Sequence, residues 1–130
     1  MTLEPGTRLG PYQIVAPLGA RGMGEVYRAQ DTRLERTIAA KVLPQHLSRT
    51  EETRQRYERE ARTISQLSHP YTCAIYDVGS ESGIEYLVKE YLEGETMADR
   101  LARGALPLDQ VFRFGAEIAD ALDKATGPPI

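Results

Sequence analysis

The chain has 130 residues, 41% hydrophobic and 27% charged, and a formal net charge of −3. That length allows one small domain or part of a larger one, and the composition is that of an ordinary soluble globular chain. Basic and acidic residues are interspersed, which argues against a nucleic-acid stripe or a membrane-surface patch, and no apolar run reaches the length of a bilayer span. The start, Met1-Thr2-Leu3-Glu4-Pro5, lacks the basic-then-apolar order of a signal peptide. Cys73 is the single cysteine, so no internal disulfide forms; a reducing, cytoplasmic location is expected.

Residues 1–11 are rich in Pro and Gly and read as a lead-in segment without regular structure. Tyr12 to Leu18 reads as a first strand, with Pro17 marking an irregular or edge position. Glu25 to Gln30 reads as a second strand, Asp31 to Glu35 as a turn, and Thr37 to Leu43 as a third strand closed by Pro44. By the period of two, Ala39, Lys41 and Leu43 share a face. Residues 50–67 form the clearest helix, with Ser48 or Thr50 as N-cap and Glu51 at capping-box distance from Ser48. Its buried stripe is Tyr57, Ala61, Ile64 and Leu67, and Glu60 lies on that stripe. A carboxylate on a buried face is costly unless paired.

Tyr71 to Val78 reads as a fourth strand, Gly79 to Gly83 as a hairpin loop, and Ile84 to Tyr91 as a fifth strand. Thr96 is placed to cap a short helix that ends at Arg103-Gly104. Pro107 and Asp109 open a last helix with Val111, Phe114, Gly115, Ile118 and Leu122 on one stripe, stopped by Gly127-Pro128-Pro129. The fold class expected is α+β: a five-stranded antiparallel sheet with one long helix, then helices only. Cys73 is expected to pack in the core, and His46 and His69 to sit in loops. Asp77-Val78-Gly79 is expected to serve a turn.

Between the first two strands stands Leu18-Gly19-Ala20-Arg21-Gly22-Met23-Gly24-Glu25-Val26-Tyr27. Glycines let backbone N–H groups approach a ligand closely, and a run of such groups suits phosphate oxygens. A dinucleotide fingerprint requires a helix after the glycines, whereas a strand follows here. A phosphate-covering hairpin and a plain Gly-rich turn both remain open on this stretch alone. Lys41 on the third strand and Glu60 on the next helix narrow the choice. The lysine is placed to hold phosphates and the glutamate to hold the lysine.

This order resembles the N-terminal lobe of protein kinases, in particular the bacterial serine/threonine kinases related to the eukaryotic ones. Arg56-Tyr57-Glu58-Arg59-Glu60-Ala61, Leu67-Ser68-His69-Pro70 and Glu90-Tyr91-Leu92-Glu93-Gly94 are similar to that subfamily's usual wording. The resemblance runs over roughly residues 8 to 125 and implies three parts: a lead-in at 1–11, a nucleotide-binding lobe at 12–92, and at 93–130 a hinge exit with the truncated start of a helical lobe. It implies that Gly19, Gly22 and Gly24 cover the phosphates of ATP and that Leu18, Val26 and Ala39 contact the adenine. Lys41, in Ile38-Ala39-Ala40-Lys41, would hold the α- and β-phosphates and pair with Glu60. Glu90 and Leu92 would meet the adenine edge through backbone groups. The partners implied are ATP, Mg²⁺ and a protein Ser or Thr, with neither nucleic acid nor membrane.

The sequence also departs from the family's pattern. Arg21 occupies the place of a loop glycine, Lys89 the place of an apolar residue behind the adenine pocket, and Thr72 that of an apolar residue at the start of the fourth strand. No His-Arg-Asp catalytic loop and no Asp-Phe-Gly occur among the 130 residues, so the metal ligands and the substrate base are not present. Phosphoryl transfer by these residues alone is therefore not expected. A non-catalytic, pseudokinase-like binding module and the remnant of a truncated gene stand as alternatives. The last helix, 109–125, is expected to expose apolar side chains and to favour self-association.

Overall fold

The computed structural model of the chain describes residues 3–21, 24–43 and 50–126, without the side chains of Ala20, Arg21 and Glu60. His46, Ser48 and Gly22 lie outside the described residues. The contacts divide the chain into two units, one formed by residues up to 66 with 73–91, the other by 67–72 with residues from 92 onward.

Among the described residues, the first unit is a six-stranded antiparallel sheet with one helix. Its elements are β1 (Arg8–Leu9), β2 (Tyr12–Arg21), β3 (Gly24–Asp31), β4 (Arg36–Leu43), α1 (Glu51–Ser65), β5 (Ile75–Glu81) and β6 (Ile84–Glu90). The order across the sheet is β1-β2-β3-β4-β6-β5. Five strands were expected; the sixth is β1, two residues long and inside the supposed lead-in. It exists because Gly10 and Pro11 turn the chain back, so that Leu9 pairs with Tyr12. A two-residue strand carries no periodicity that a sequence could show.

β2 carries two irregularities, at Val15 and at Leu18, where the register against β3 shifts. Pro17 lies between them, on a stretch where no strand among the described residues pairs with the outer side of β2, since β1 covers only Tyr12 and Gln13. This is where a residue without an N–H is tolerated. The β3–β4 turn is held by Asp31, whose Oδ1 accepts from the N–H groups of Arg33 (2.9 Å) and Leu34 (3.2 Å).

Both ends of the fourth predicted strand differ from expectation. The fourth predicted strand starts at Ile75 instead of Tyr71, and it runs through Gly79-Ser80-Glu81 to a two-residue turn. Ser82 and Gly83 form that turn with φ of 52° and 81°, the left-handed pair that suits a tight hairpin. The supposed five-residue loop at 79–83 is thus mostly strand, and Asp77-Val78-Gly79 lies in the ladder and not in a turn. Alternation of polar and small residues concealed it.

The core lies on one face of the sheet. Ile14, Tyr27, Ala29, Ile38, Ala40, Val42, Tyr86 and Val88 are buried there, with Leu3 and Leu9 closing over them. The Tyr27 hydroxyl donates to the Glu25 carboxylate and accepts the Leu3 N–H at 2.8 Å, which ties the N-terminal residues down. Tyr12 packs edge-on to Tyr86, with ring centroids 6.0 Å apart, and its hydroxyl donates to Asp77 on β5 at 2.6 Å. The sheet therefore curls until its last strand meets its second.

The helix α1 spans Glu51–Ser65 in place of the predicted 50–67. Thr50 is its N-cap, yet its side chain makes no capping bond to the helix N–H groups; its hydroxyl donates to Thr53 instead.

The second unit contains α2 (Met97–Ala102) and α3 (Leu108–Thr126). Thr96 caps α2 as expected, accepting the Asp99 N–H at 3.0 Å. His69, in its loop, accepts the Tyr71 N–H at Nδ1, which leaves Nε2 to donate to Asp120 of α3 at 3.1 Å. On α3, Val111, Ile118 and Leu122 are exposed while Phe114 is half-buried. No helix among the described residues is long and apolar enough to cross a membrane.

Candidate functional site

The opposite face of the sheet from the core carries the chemistry. Residues paired directly across antiparallel strands present their side chains on the same face. Gly19 pairs with Val26, Val26 with Lys41, and Lys41 with Leu87. Four strands thus contribute one row, with Lys41 in its middle. The neighbouring row is Arg28, Ala39 and Lys89. Ala39 is almost completely buried, so the position beside Lys41 is narrow and apolar.

Gly24 is fixed by close approach. A Cβ at that position would stand 2.6 Å from the Val42 carbonyl oxygen and 3.6 Å from Lys41 Cε. The lysine stem thus passes over a glycine that has no room for a side chain. The glycine at the end of the hairpin and the lysine on β4 are one packed feature. Its cause is the short distance between the β3 and β4 backbones.

α1 covers part of this face. Lys41, Leu43 and Leu87 from the sheet meet Tyr57, Ala61 and Ile64 from α1 around a cavity of about 100 Å³. The Tyr57 hydroxyl donates to the Lys41 carbonyl oxygen at 3.2 Å. Burial, and secondarily the Glu85 carboxylate, push the Tyr57 hydroxyl well above the usual tyrosine range, so it stays a donor.

The structure thus brings Gly19, Gly24, Val26, Ala39 and Lys41 together. Leu18 occupies the second irregularity of β2 and is 48% exposed. Glu90 ends β6; its N–H donates to the Ala74 carbonyl at 2.8 Å and its carboxylate accepts the Ala74 N–H at 3.2 Å. Gly22 lies outside the described residues, as does the side chain of Glu60, whose backbone belongs to α1. Leu92 begins the second unit and is exposed. That unit has its own open cavity of about 360 Å³ beside Thr96, Arg100 and Phe114, lined by no predicted site residue.

Lys89 is half-buried opposite Ala39, and among the described residues neither it nor Lys41 forms an ion pair with a carboxylate. Cys73 is half-buried near Lys89; burial raises its thiol pKa above the usual value and the lysine charge opposes that only in part. Two contributors escaped the sequence reading. Leu87 falls within the fifth predicted strand and has no role assigned from the sequence. Tyr57 was read as part of a buried stripe, although a tyrosine on such a stripe must find a partner for its hydroxyl. That requirement was the available signal.

A curled antiparallel sheet with a covering helix carries a lysine whose stem packs over Gly24, the first residue of β3. The protein kinase domain family model matches residues 12–124, and the chain belongs to that family. Its relatives are bacterial serine/threonine kinases. It is 38% identical to the serine/threonine-protein kinase PrkC of Bacillus subtilis over 117 residues, which are 89% of this chain and 18% of that protein. It is 36% identical to a probable serine/threonine-protein kinase of Clostridium perfringens over 115 residues, 88% of this chain and 17% of that protein. The chain therefore spans less than a fifth of these relatives. The crystal structure of the Mycobacterium tuberculosis PknI kinase domain superimposes with a TM-score of 0.83 at 30% identity, over 95% of this chain and 51% of that one.

Proposed function

We propose that this chain provides the ATP-binding side of a serine/threonine protein kinase, with residues 12–92 as the nucleotide lobe and 93–130 as the hinge exit and the start of a helical lobe. The observation that carries the reading is the Gly19–Val26–Lys41 row with Gly24 packed under the lysine stem. An ammonium at the centre of that row suits the α- and β-phosphates, and a hairpin with glycines at 19, 22 and 24 lets backbone N–H groups approach them. Val26 and Ala39 offer an apolar surface to the base, with Leu18 at the rim and the backbone of Glu90 and Leu92 at its polar edge. Glu60 would hold Lys41 by its charge.

In this reading Mg²⁺ would supply the charge that neutralises the phosphates. The sequence has no Asp-Phe-Gly and no His-Arg-Asp, so these 130 residues supply neither its usual ligands nor the base for a protein hydroxyl. They bind and orient; they do not complete the transfer. The exposed Val111, Ile118 and Leu122 of α3 would make the isolated chain prone to self-association.

A second reading, a non-catalytic binding module, is favoured by Lys89. A half-buried lysine opposite Ala39 would intrude on the surface proposed for the base. It would also compete with Lys41 for Glu60. Thermal-shift titration with ATP separates the readings. Stabilisation that Lys41→Met removes supports the nucleotide site; no shift at millimolar ATP rejects it. Lys89→Met tests the intrusion, and unchanged ATP affinity and stability in that variant would dismiss it.

A further inference from the structure

α1 is held to the sheet by few groups. Ala61 is its one buried side chain among the described residues, Tyr57 is half-buried, and Ile64 is 41% exposed. The seam beneath it contains the cavity of about 100 Å³. Dispersion and apolar burial therefore define the helix position loosely, because a void leaves its lining without partner atoms. A side-chain hydrogen bond from Tyr57 Oη to the Lys41 carbonyl oxygen crosses from α1 to the sheet.

That bond has directional consequences. A carbonyl oxygen has two lone pairs, so it can accept the hydroxyl in addition to a strand partner. The acceptor belongs to Lys41 itself, at the centre of the cross-strand row. Position 60 lies three residues after Tyr57, hence on the same helical face. Fixing the hydroxyl on this carbonyl sets both the height of α1 along β4 and its rotation about its own axis. A phenylalanine at 57 would fill the same space without setting either.

We propose that Tyr57 is a positioning residue: its hydroxyl clasps α1 to the Lys41 carbonyl and thereby sets how position 60 and the Lys41 ammonium meet a nucleotide. The nucleotide part rests on the function proposed above; the clasp does not. The test is Tyr57→Phe in the full chain, read three ways. Amide exchange in α1 should accelerate about fivefold, the equilibrium worth of one net hydrogen bond, while the central strands keep their protection. The chain has three lysines, Lys41, Lys89 and Lys124, so their side-chain Cε resonances can be assigned by substitution. In Tyr57→Phe the Lys41 signal should move and that of Lys124 should stay. ATP affinity should fall about fivefold, by the same bond.

Unchanged exchange in α1 would overturn the clasp. Faster exchange with an unmoved Lys41 resonance, or with undiminished ATP affinity, would overturn the positioning role. A wild-type chain that binds no ATP would defeat the nucleotide reading alone, since the exchange and resonance measurements still decide the clasp.

Discussion

The Tyr12 hydroxyl donates to Asp77 Oδ2 at 2.6 Å, joining β2 to β5 across 65 residues of chain. These strands stand near opposite ends of the sheet order, so the bond closes a curl that backbone pairing leaves open. Arg33 reaches the same hydroxyl at 3.4 Å. Tyr12→Phe is expected to cost about 1.5–3 kcal/mol, the range for a hydrogen bond to a charged group. Urea unfolding of Tyr12→Phe, Asp77→Ala and the double variant measures this as a coupling energy. Additive losses would show that the two groups do not act together.

Alkaline pH should weaken the fold. Burial first, then the hydrogen bond to Asp77, raises the Tyr12 pKa above its usual value near 10, and burial does the same to Tyr57. A group whose folded pKa is raised stays protonated in the native state while the unfolded chain loses its proton. Stability is then fully present below about pH 10 and falls as pH rises through the folded-state values. Urea midpoints measured from pH 8 to pH 11 should be flat at first and then decline. Tyr12→Phe should reduce the steepness of that decline. A midpoint that rises above pH 10 would contradict the assignment.

Two glycines should respond oppositely to alanine. At Gly24 the added methyl would meet the Val42 carbonyl oxygen at 2.6 Å, which is backbone and cannot turn aside. Overpacking of this kind costs about 1–3 kcal/mol, and here it also displaces the Lys41 stem. At Gly115, in the middle of α3, nothing stands within 4 Å. Gly115→Ala should therefore stabilise, by about 0.8–1 kcal/mol from helix propensity. Thermal unfolding of the two variants gives both signs.

Cys73 should be a slow nucleophile. Its thiol is half-buried, bonded weakly to the Glu90 carbonyl oxygen at 3.5 Å, and its pKa is raised by burial. The thiolate is the reactive form, so alkylation at pH 8 should be much slower in the native chain than in urea. Equal rates would place the thiol in water.

Much of the fold was legible because its signals are local. Thr96 announces α2 by the hydroxyl it offers to Asp99, and the alternation of Ala39, Lys41 and Leu43 places the lysine on one face. The spacing of Tyr57 and Ala61 identifies the covered side of α1. What escaped had no local signal. β1 is two residues long, and Asp77-Val78-Gly79 has turn-like composition inside a strand. Asp77 belongs there because Tyr12 supplies it with a donor, a partner that no window of neighbouring residues contains.

By itself the sequence determined the element types, the resemblance to the bacterial serine/threonine kinases and the identity of the lysine and glycines. It did so because periodicity, capping and turn chemistry act over a few residues. Only the tertiary structure decided which residues share the row through Lys41. The irregularities at Val15 and Leu18 each shift the pairing of β2, and that is what sets Gly19 opposite Val26. It alone decided that Tyr57 reaches the Lys41 carbonyl and that Gly24 lies under the lysine stem. Those relations depend on backbone distances between strands and on the seating of one helix, which are properties of packing and not of spacing along the chain.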